Sequence, residues 1–538
     1  MIESQSTRHS LSEVEGASEP AEGEGADPGA RWVRLGLCGM GLGLVALVAR
    51  SLVAPRIHDA ALMEFIAWRI REGDVPYRDL LDMNLPGTYL LHVLGQSVMG
   101  VGDVQLHVMD LVVMGVAGWA IWTLLRAFPT SARLLAVALA LLLHLWRGGA
   151  YDTFERDWVM AAMALAVAAL LSRPYGGAWR VVLAGGIIGF SAMMKPQGLL
   201  LVGAAPVLLA IRRRTSPVRD GAGSLLRDTL LAAAAASVVI GAVLGWVAWL
   251  GGWDAFVWNV TRYLPLYSRL DASGIERGSL LDAIAGSTIG LVSPSVVLYL
   301  VVLAGGWWFA RSRLPAEQRR AVDMLGVLAV VGILHAWSGF KLWRYHFALF
   351  ETATLAVLGA VAFAFVQSSS RRWGPQRARR FGRAFCLALA GLGLLVVVQA
   401  IVAPSTEVES VTRIDERTRS AAAALREAAR PGDTVQILDT YDAGMNTALR
   451  AEVPPANRFI YDFYFFHDLD DPVIVGMRRE LIHDFDAAPP RFVLFSKVSW
   501  SHRVGYDDVT AFPELAERLG DYEVLWEDEG MRLLQRIR

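Results

Sequence analysis

The sequence predicts a mainly α-helical, polytopic membrane protein with about eleven transmembrane helices, followed by a small C-terminal soluble α/β domain. Three observations carry this. The 538 residues are 54% hydrophobic with a mean hydropathy of +0.39, too apolar for a soluble chain of that length. Apolar runs of ~17–25 residues, long enough to cross a bilayer, recur up to residue 403. From about residue 405 the composition becomes that of a soluble protein, with short strand-like and helical runs.

Taken in order, residues 1–30 are rich in Glu, Gly and Ser and read as a disordered cytoplasmic tail. They lack the basic start and short apolar core of a signal peptide. Spanning runs follow near 33–54, 104–125, 131–147, 157–172, 228–250, 286–310, 321–338, 345–366 and 384–403. Residues 179–211 are interrupted at Lys195-Pro196-Gln197-Gly198 and read as two short spans meeting in a tight turn. Residues 88–102 read as a surface helix. With the N-terminus inside, alternate loops carry the basic residues: Arg31/Arg34, Arg126/Arg133, Arg173/Arg180, Arg212 to Arg227, Arg311 to Arg320 and Arg371 to Arg383. That pattern obeys the positive-inside rule. It makes the chain a multi-pass protein of a plasma (inner) membrane, with residues 404–538 as an extracytoplasmic domain. In that domain Asp433–Leu438, Arg491–Phe495, Tyr522–Trp526 and Met531–Leu534 read as strands, and Thr412–Ala429 and Phe512–Leu519 as helices. The run His467–Asp471 (HDLDD) has no EF-hand spacing and reads as a solvated loop.

A net charge of −1 suggests no nucleic-acid partner. Cys38 and Cys386 both fall in apolar runs, so neither a disulfide framework nor a thiolate metal site is indicated.

The charged residues concentrate at one set of span ends. Ile57–Gly87 (IHDAALMEFIAWRIREGDVPYRDLLDMNLPG) separates two apolar segments and carries Asp59, Glu64, Asp79 and Asp82. Such acids tolerate only the headgroup or water layer, since a charge at the bilayer centre costs ~3 kcal/mol or much more. Leu62, Phe65, Ile66 and Ile70 recur at helical spacing, so residues 60–71 read as an amphipathic helix lying in the interface. Lysine occurs only at 195, 341 and 497, and the first two fall at outer span ends, where positive charge is disfavoured and a specific partner is implied. Lys341, Arg344 and His346 (GFKLWRYH) read as a cluster that could hold one phosphate or pyrophosphate, in preference to snorkelling anchors beside Trp343 and Tyr345, because they lie opposite the acidic loop in the topology. Arg156 and Asp157, in YDTFERDW, open another span, where an acid also suits the positive end of a helix.

Asp59 with its helix, Gly73-Asp74-Val75-Pro76-Tyr77 and Asp82-Met83-Asn84-Leu85-Pro86-Gly87 resemble the first outer loop of integral-membrane glycosyltransferases of the GT-C fold. These include protein O-mannosyltransferases (glycosyltransferase family 39) and the aminoarabinose transferases of lipid A. Lys195 in MMKPQG resembles the lysine that follows a transmembrane run in this group. Lys341 to His346 resembles its Lys-x-Trp-x-Tyr-His motif. Glu155-Arg156-Asp157-Trp158 resembles its Arg-(Glu/Asp)-His motif with Trp158 in place of histidine, and His58-Asp59 stands where an Asp-Glu pair is common. The resemblance implies a GT-C-like catalytic membrane domain over 31–403, a polyprenyl-phosphate-linked sugar as donor, inversion at the anomeric carbon, and Asp59 at the catalytic centre.

Sugar transfer from a lipid phosphate needs a base for the acceptor hydroxyl, cations for the departing phosphate, and a site reached from lipid. Asp59, Asp82 and Asp157 are the expected catalytic acids, with Asp59 and Asp82 as ligands should a divalent metal cation take part. Lys195, Lys341, Arg344, His346 and Arg156 are expected on the donor phosphate. Beyond the donor and membrane lipids, the acceptor (a glycan, a lipid or a protein) and the sugar are unspecified. A transporter or flippase of lipid-linked sugars would instead place ionisable residues at mid-membrane in two matching halves. A non-catalytic envelope-assembly scaffold would need none of these clusters.

Overall fold

The computed structural model of the chain describes residues 28–173, 177–213, 222–270, 279–402, 406–439, 443–466, 468–497 and 512–537. Residues 1–27 of the tail expected over 1–30, Arg214 and Arg219 of one basic loop, and His467 of the HDLDD run lie outside them, while residues 28–30 already belong to helix Pro28–Ser51. Among the described residues, seven helices are long and apolar enough to cross a membrane: Arg31–Ser51, Asp103–Leu124, Gly223–Trp249, Pro294–Arg313, Ala316–Ser338, Arg344–Val366 and Arg380–Ile401. Four shorter apolar helices, Thr130–Gly148, Arg156–Leu171, Ala178–Met194 and Leu200–Arg213, complete the bundle. All eleven expected runs are therefore helical.

Local chemistry sets their ends. The run near 286–310 breaks into Leu280–Gly290 and Pro294–Arg313. Ser293 caps the second piece by accepting from the Val296 N–H, and Pro294 suits a first helical position. The two spans expected at 345–366 and 384–403 lie in one helical stretch, Ala348–Val402. It nevertheless doubles back. The Phe365 and Phe381 rings are 6.2 Å apart, whereas sixteen residues of straight helix would separate them by ~24 Å. Small residues permit the closest approaches: a Cβ on Gly185 or Gly189 would lie 2.2 or 2.4 Å from the carbonyl oxygen of Ala232 or Ala236. This is small-residue packing spaced one helical turn apart. Helix Arg156–Leu171 runs through the middle, buried over nearly its whole length.

The C-terminal region carries a four-stranded sheet in the order β1-β2-β4-β3, with β1 Val435–Leu438, β2 Phe492–Ser496, β3 Tyr522–Glu527 and β4 Met531–Arg536. β1 and β2 are parallel, and the other pairings are antiparallel. Helices Thr406–Ala428 and Pro513–Leu519 match the sequence pattern. Gly444–Ala451 and Pro472–Ala487 are two further helices that the reading of the sequence omitted.

One correction concerns the first loop. Helix His58–Glu72 is not an interfacial helix with one wetted face, because residues 60–67 are all buried. Its apolar side chains share one hydrophobic cluster with Val247–Leu270 and with the C-terminal sheet and helices. Leu81 N–H donates to the Arg458 carbonyl at 2.8 Å, and Asn446 Nδ2 donates to that of Arg56 at 2.8 Å. The soluble region thus seals the loop from above. His107 and Asp110, one turn apart, do not pair; His107 Nε2 lies 2.9 Å from the Ala54 carbonyl and Asp110 accepts the Phe154 N–H at 3.0 Å.

Candidate functional site

The charged span ends converge on one cavity of ≈ 870 Å³ between the helical bundle and the C-terminal region. Asp59, Arg156, Lys195, Lys341, Arg344 and His346 all line it. Tyr267 and Pro265 from the aromatic segment and Tyr461 and Phe463 from the C-terminal region close the other wall.

The backbone that presents these groups is strained. Phe340 and Leu342 have φ of 57° and 49°, so Lys341 sits between two non-glycine residues in the left-handed region. His58, directly before Asp59, and Phe154, two residues before Arg156, have φ of 54° and 53°. Such residues cost ~1–3 kcal/mol each, persist only where packing over-determines them, and cluster at functional sites. The consequence for Lys341 is direct. Its ammonium lies 3.7 Å from the Tyr267 ring centroid and 5.2 Å from that of Trp343, a cation held on aromatic faces at the cavity wall. Burial, with the Asp59 carboxylate adding to it, raises the Tyr267 phenol above its ordinary range, so this phenol stays neutral beneath the Lys341 cation.

Asp59 is partly exposed. Arg156 Nη2 is 3.5 Å from its Oδ2 and His58 Nδ1 is 3.5 Å from its Oδ1. Arg344 reaches Asp152 at 3.6 Å and is itself more than a third exposed, which leaves it able to turn onto a ligand. Asp157 lies just behind the wall. Lys195 Nζ is 3.0 Å from both of its oxygens, and His335 Nε2 donates to Oδ1. Trp158, at the family's histidine position, stacks on His144 with ring centroids 3.8 Å apart. It therefore lines no part of the cavity.

Asp82 is placed differently. It is fully buried and does not line the cavity. Oδ2 accepts from Tyr89 Oη at 2.6 Å and from Asn84 N and Nδ2 at 3.1 and 2.7 Å, while Oδ1 accepts from Tyr461 Oη at 2.8 Å. Asn259 Nδ2 donates to its carbonyl at 3.0 Å. These contacts tie the first loop to the aromatic segment and the C-terminal region. A metal shared by Asp59 and Asp82 does not fit: the Asp82 oxygens already face four donors. Among the described residues, no group of three or more His, Cys, Asp or Glu could hold a metal ion.

Three elements in or just behind the wall escaped the sequence. His335 lies in the last turn of an apolar helix and read only as part of a span. Gln197 was assigned to a tight turn, yet it lines the cavity. Tyr461 and Phe463 sit in an aromatic run that resembles ordinary core. For Tyr267, the aromatic density of Trp253–Tyr267 was the available signal.

Among solved structures, the chain is similar to ArnT from Cupriavidus metallidurans bound to undecaprenyl phosphate. The TM-score is 0.53 at 14% identity, over 95% of this chain and 99% of that one. The apo state of the same protein gives 0.53 at 15% identity over the same shares. Archaeal oligosaccharyltransferase AglB from Archaeoglobus fulgidus, in complex with an inhibitory peptide and a dolichol-phosphate, gives 0.48 at 13% over 92% and 72%. No family model and no curated protein sequence matches the chain. With its helical bundle, small C-terminal sheet and end-to-end likeness to ArnT, the chain is a multi-pass membrane protein of the GT-C fold.

Proposed function

We propose that the chain is a glycosyltransferase that moves a sugar from a polyprenyl-phosphate carrier to an acceptor hydroxyl on the outer face of the membrane. One observation carries the reading: Asp59, the cations Arg156, Lys195, Lys341 and Arg344, and the His346 imidazole share a single cavity in a membrane-embedded bundle. The ArnT structure that the chain resembles carries undecaprenyl phosphate, and an undecaprenyl carrier would meet the same cationic wall here. The excess of basic residues on the opposite loops supports an extracytoplasmic orientation for the cavity.

In this reading the acceptor oxygen attacks the anomeric carbon as the bond from that carbon to the phosphate oxygen breaks. The acceptor proton passes to Asp59, the partly exposed carboxylate, and the polyprenyl phosphate leaves with the bonding electrons. Lys341 and Arg344 neutralise the developing charge by charge-assisted hydrogen bonds. Arg156, 3.5 Å from the Asp59 carboxylate, keeps it aimed into the cavity. Asp157 acts through Lys195, which it orients, and Asp82 holds the loop rather than touching substrate. The membrane unit over 31–403 supplies the chemistry and the region from 404 covers it.

The test is incubation of the purified full chain with a panel of polyprenyl-phosphate sugars and candidate acceptors. Donor-dependent transfer that Asp59→Asn abolishes supports the reading. Accumulation of a lipid-linked sugar across a vesicle without transfer assigns the cavity to transport instead.

A further inference from the structure

Behind the cavity wall lies a second, much smaller void of ≈ 10 Å³, lined by Asp157, Ser191, Gln197, His335 and His346 among others. Gln197 and His346 line both spaces, so they form the partition between them. Three of these lining residues carry a buried polar atom with no hydrogen-bond partner among the described residues: Ser191 Oγ, Gln197 Oε1 and His346 Nδ1. Ser191 and His346 are 0% and 3% exposed. Three orphaned polar atoms around one void are unusual, because a buried polar group left unsatisfied is costly. Their chemistry is complementary to one molecule. A void of about this size holds a single water with two to four polar partners. A water donates twice and accepts, and the lining offers two acceptors, Gln197 Oε1 and His346 Nδ1, and one donor, the Ser191 hydroxyl.

We propose that one bound water in this void, held by Ser191 and Gln197, donates to His346 Nδ1 and fixes that imidazole as its Nε2–H tautomer. His346 then presents an N–H to the cavity. A phosphate oxygen there meets a donor rather than a lone pair. This last consequence rests on the transferase reading, whereas the water and the tautomer do not. His335 and Asp157 form the far side of the void, and the His335 and His346 rings lie 6.3 Å apart. The Asp157 carboxylate already accepts from Lys195 on both oxygens and from His335 on Oδ1, whereas His346 Nδ1 has no partner among the described residues. Ser191 and Gln197 are therefore positioning residues. They act on the reaction through His346 and touch no reacting atom.

Two measurements on the full chain in lipid nanodiscs test this. The first is ¹⁵N NMR of histidine-labelled protein, with the His346 signals assigned by their loss in His346→Gln. A bare Nδ1 with a protonated Nε2 is expected, and a protonated Nδ1 overturns the proposal. The second is a cryo-electron microscopy map fine enough to resolve waters. Density within hydrogen-bond reach of Ser191 Oγ, Gln197 Oε1 and His346 Nδ1 is expected, and a dry void overturns it. For turnover, Ser191→Ala should lower kcat about tenfold with KM for the donor within about twofold. An unchanged kcat removes the link to catalysis. If no polyprenyl-phosphate sugar is turned over while water and tautomer are both found, the transferase reading falls and the water site stands.

Discussion

Asp82→Asn separates a carboxylate that holds the site together from one that reacts in it. The substitution keeps size and shape and removes the charge. In the native structure four donors converge on the two carboxylate oxygens: the hydroxyls of Tyr89 and Tyr461, and the Asn84 backbone and side-chain amides. Hydrogen bonds to a charged group contribute about 1 kcal/mol more each than neutral ones. The amide also turns one acceptor into a donor, and only a rotating hydroxyl can answer it, so Nδ2 must face Tyr461. Losing charge assistance on all four contacts gives a destabilisation of about 3–4 kcal/mol in a fully buried setting. Tyr461→Phe, which removes one of the four, should cost about 1–2 kcal/mol and weaken the same junction. Thermal unfolding of the detergent-purified chain, followed by tryptophan fluorescence, reads both. The expected order of midpoints is wild type, Tyr461→Phe, then Asp82→Asn, with transfer within about tenfold of wild type wherever Asp82→Asn remains folded. A wild-type midpoint with complete loss of transfer would refute this and return Asp82 to the chemistry.

The remaining predictions concern the cations, the buried acid and the bundle. Lys341→Met should raise the donor KM by about 10- to 100-fold, the worth of one charge-assisted phosphate contact, with stability little changed; steady-state kinetics with varied donor reads it. Glu64 is buried, and burial alone would raise its pKa. The hydrogen bond and charge of His92, with Arg56 and Gln96, outweigh burial and hold it below its ordinary 4.5. A lowered folded pKa gives stability that is fully present above 4.5 and is lost as pH falls through the depressed folded value. Unfolding midpoints measured from about pH 6 to about pH 3 should therefore fall, and the slope should flatten in Glu64→Gln. Gly189→Val must push helix Ala178–Met194 off Gly223–Trp249, since even a bare Cβ meets the Ala236 carbonyl oxygen at 2.4 Å. A loss of about 1–3 kcal/mol is expected in the same unfolding assay.

Much of this was visible in the residues, and the gaps have physical reasons. Spans are legible because a bilayer imposes length and composition at once. Lys195 and Lys341 stood out because lysine is otherwise nearly absent, and both reached the cavity. The four strands were legible as short apolar runs between polar ones. Helix Pro472–Ala487 carried a readable face in Ile474, Met477, Leu481 and Phe485, all buried, and was overlooked beside the acidic run before it. The setting of helix His58–Glu72 was not legible. Periodicity reports one buried face, and this helix acquires a second covering partner from residues about 380 positions later. The distinction between Asp59 and Asp82 was likewise out of reach. Both are acids in one loop, and only the placement of Tyr89 and Tyr461 tells the anchored one from the available one.

That long-distance covering has a consequence for how the protein is made. The loop bearing Asp59 leaves the ribosome early. Its lid of Arg458, Tyr461 and Phe463 arrives only after ten further membrane helices have been inserted. Until then Leu81, Phe65 and Ile66 have no complete apolar surroundings and the Asp82 carboxylate lacks its Tyr461 donor. A nascent chain halted before about residue 440 would thus contain every cation of the cavity and still lack a competent pocket, so the last stretch to be synthesised switches the site on.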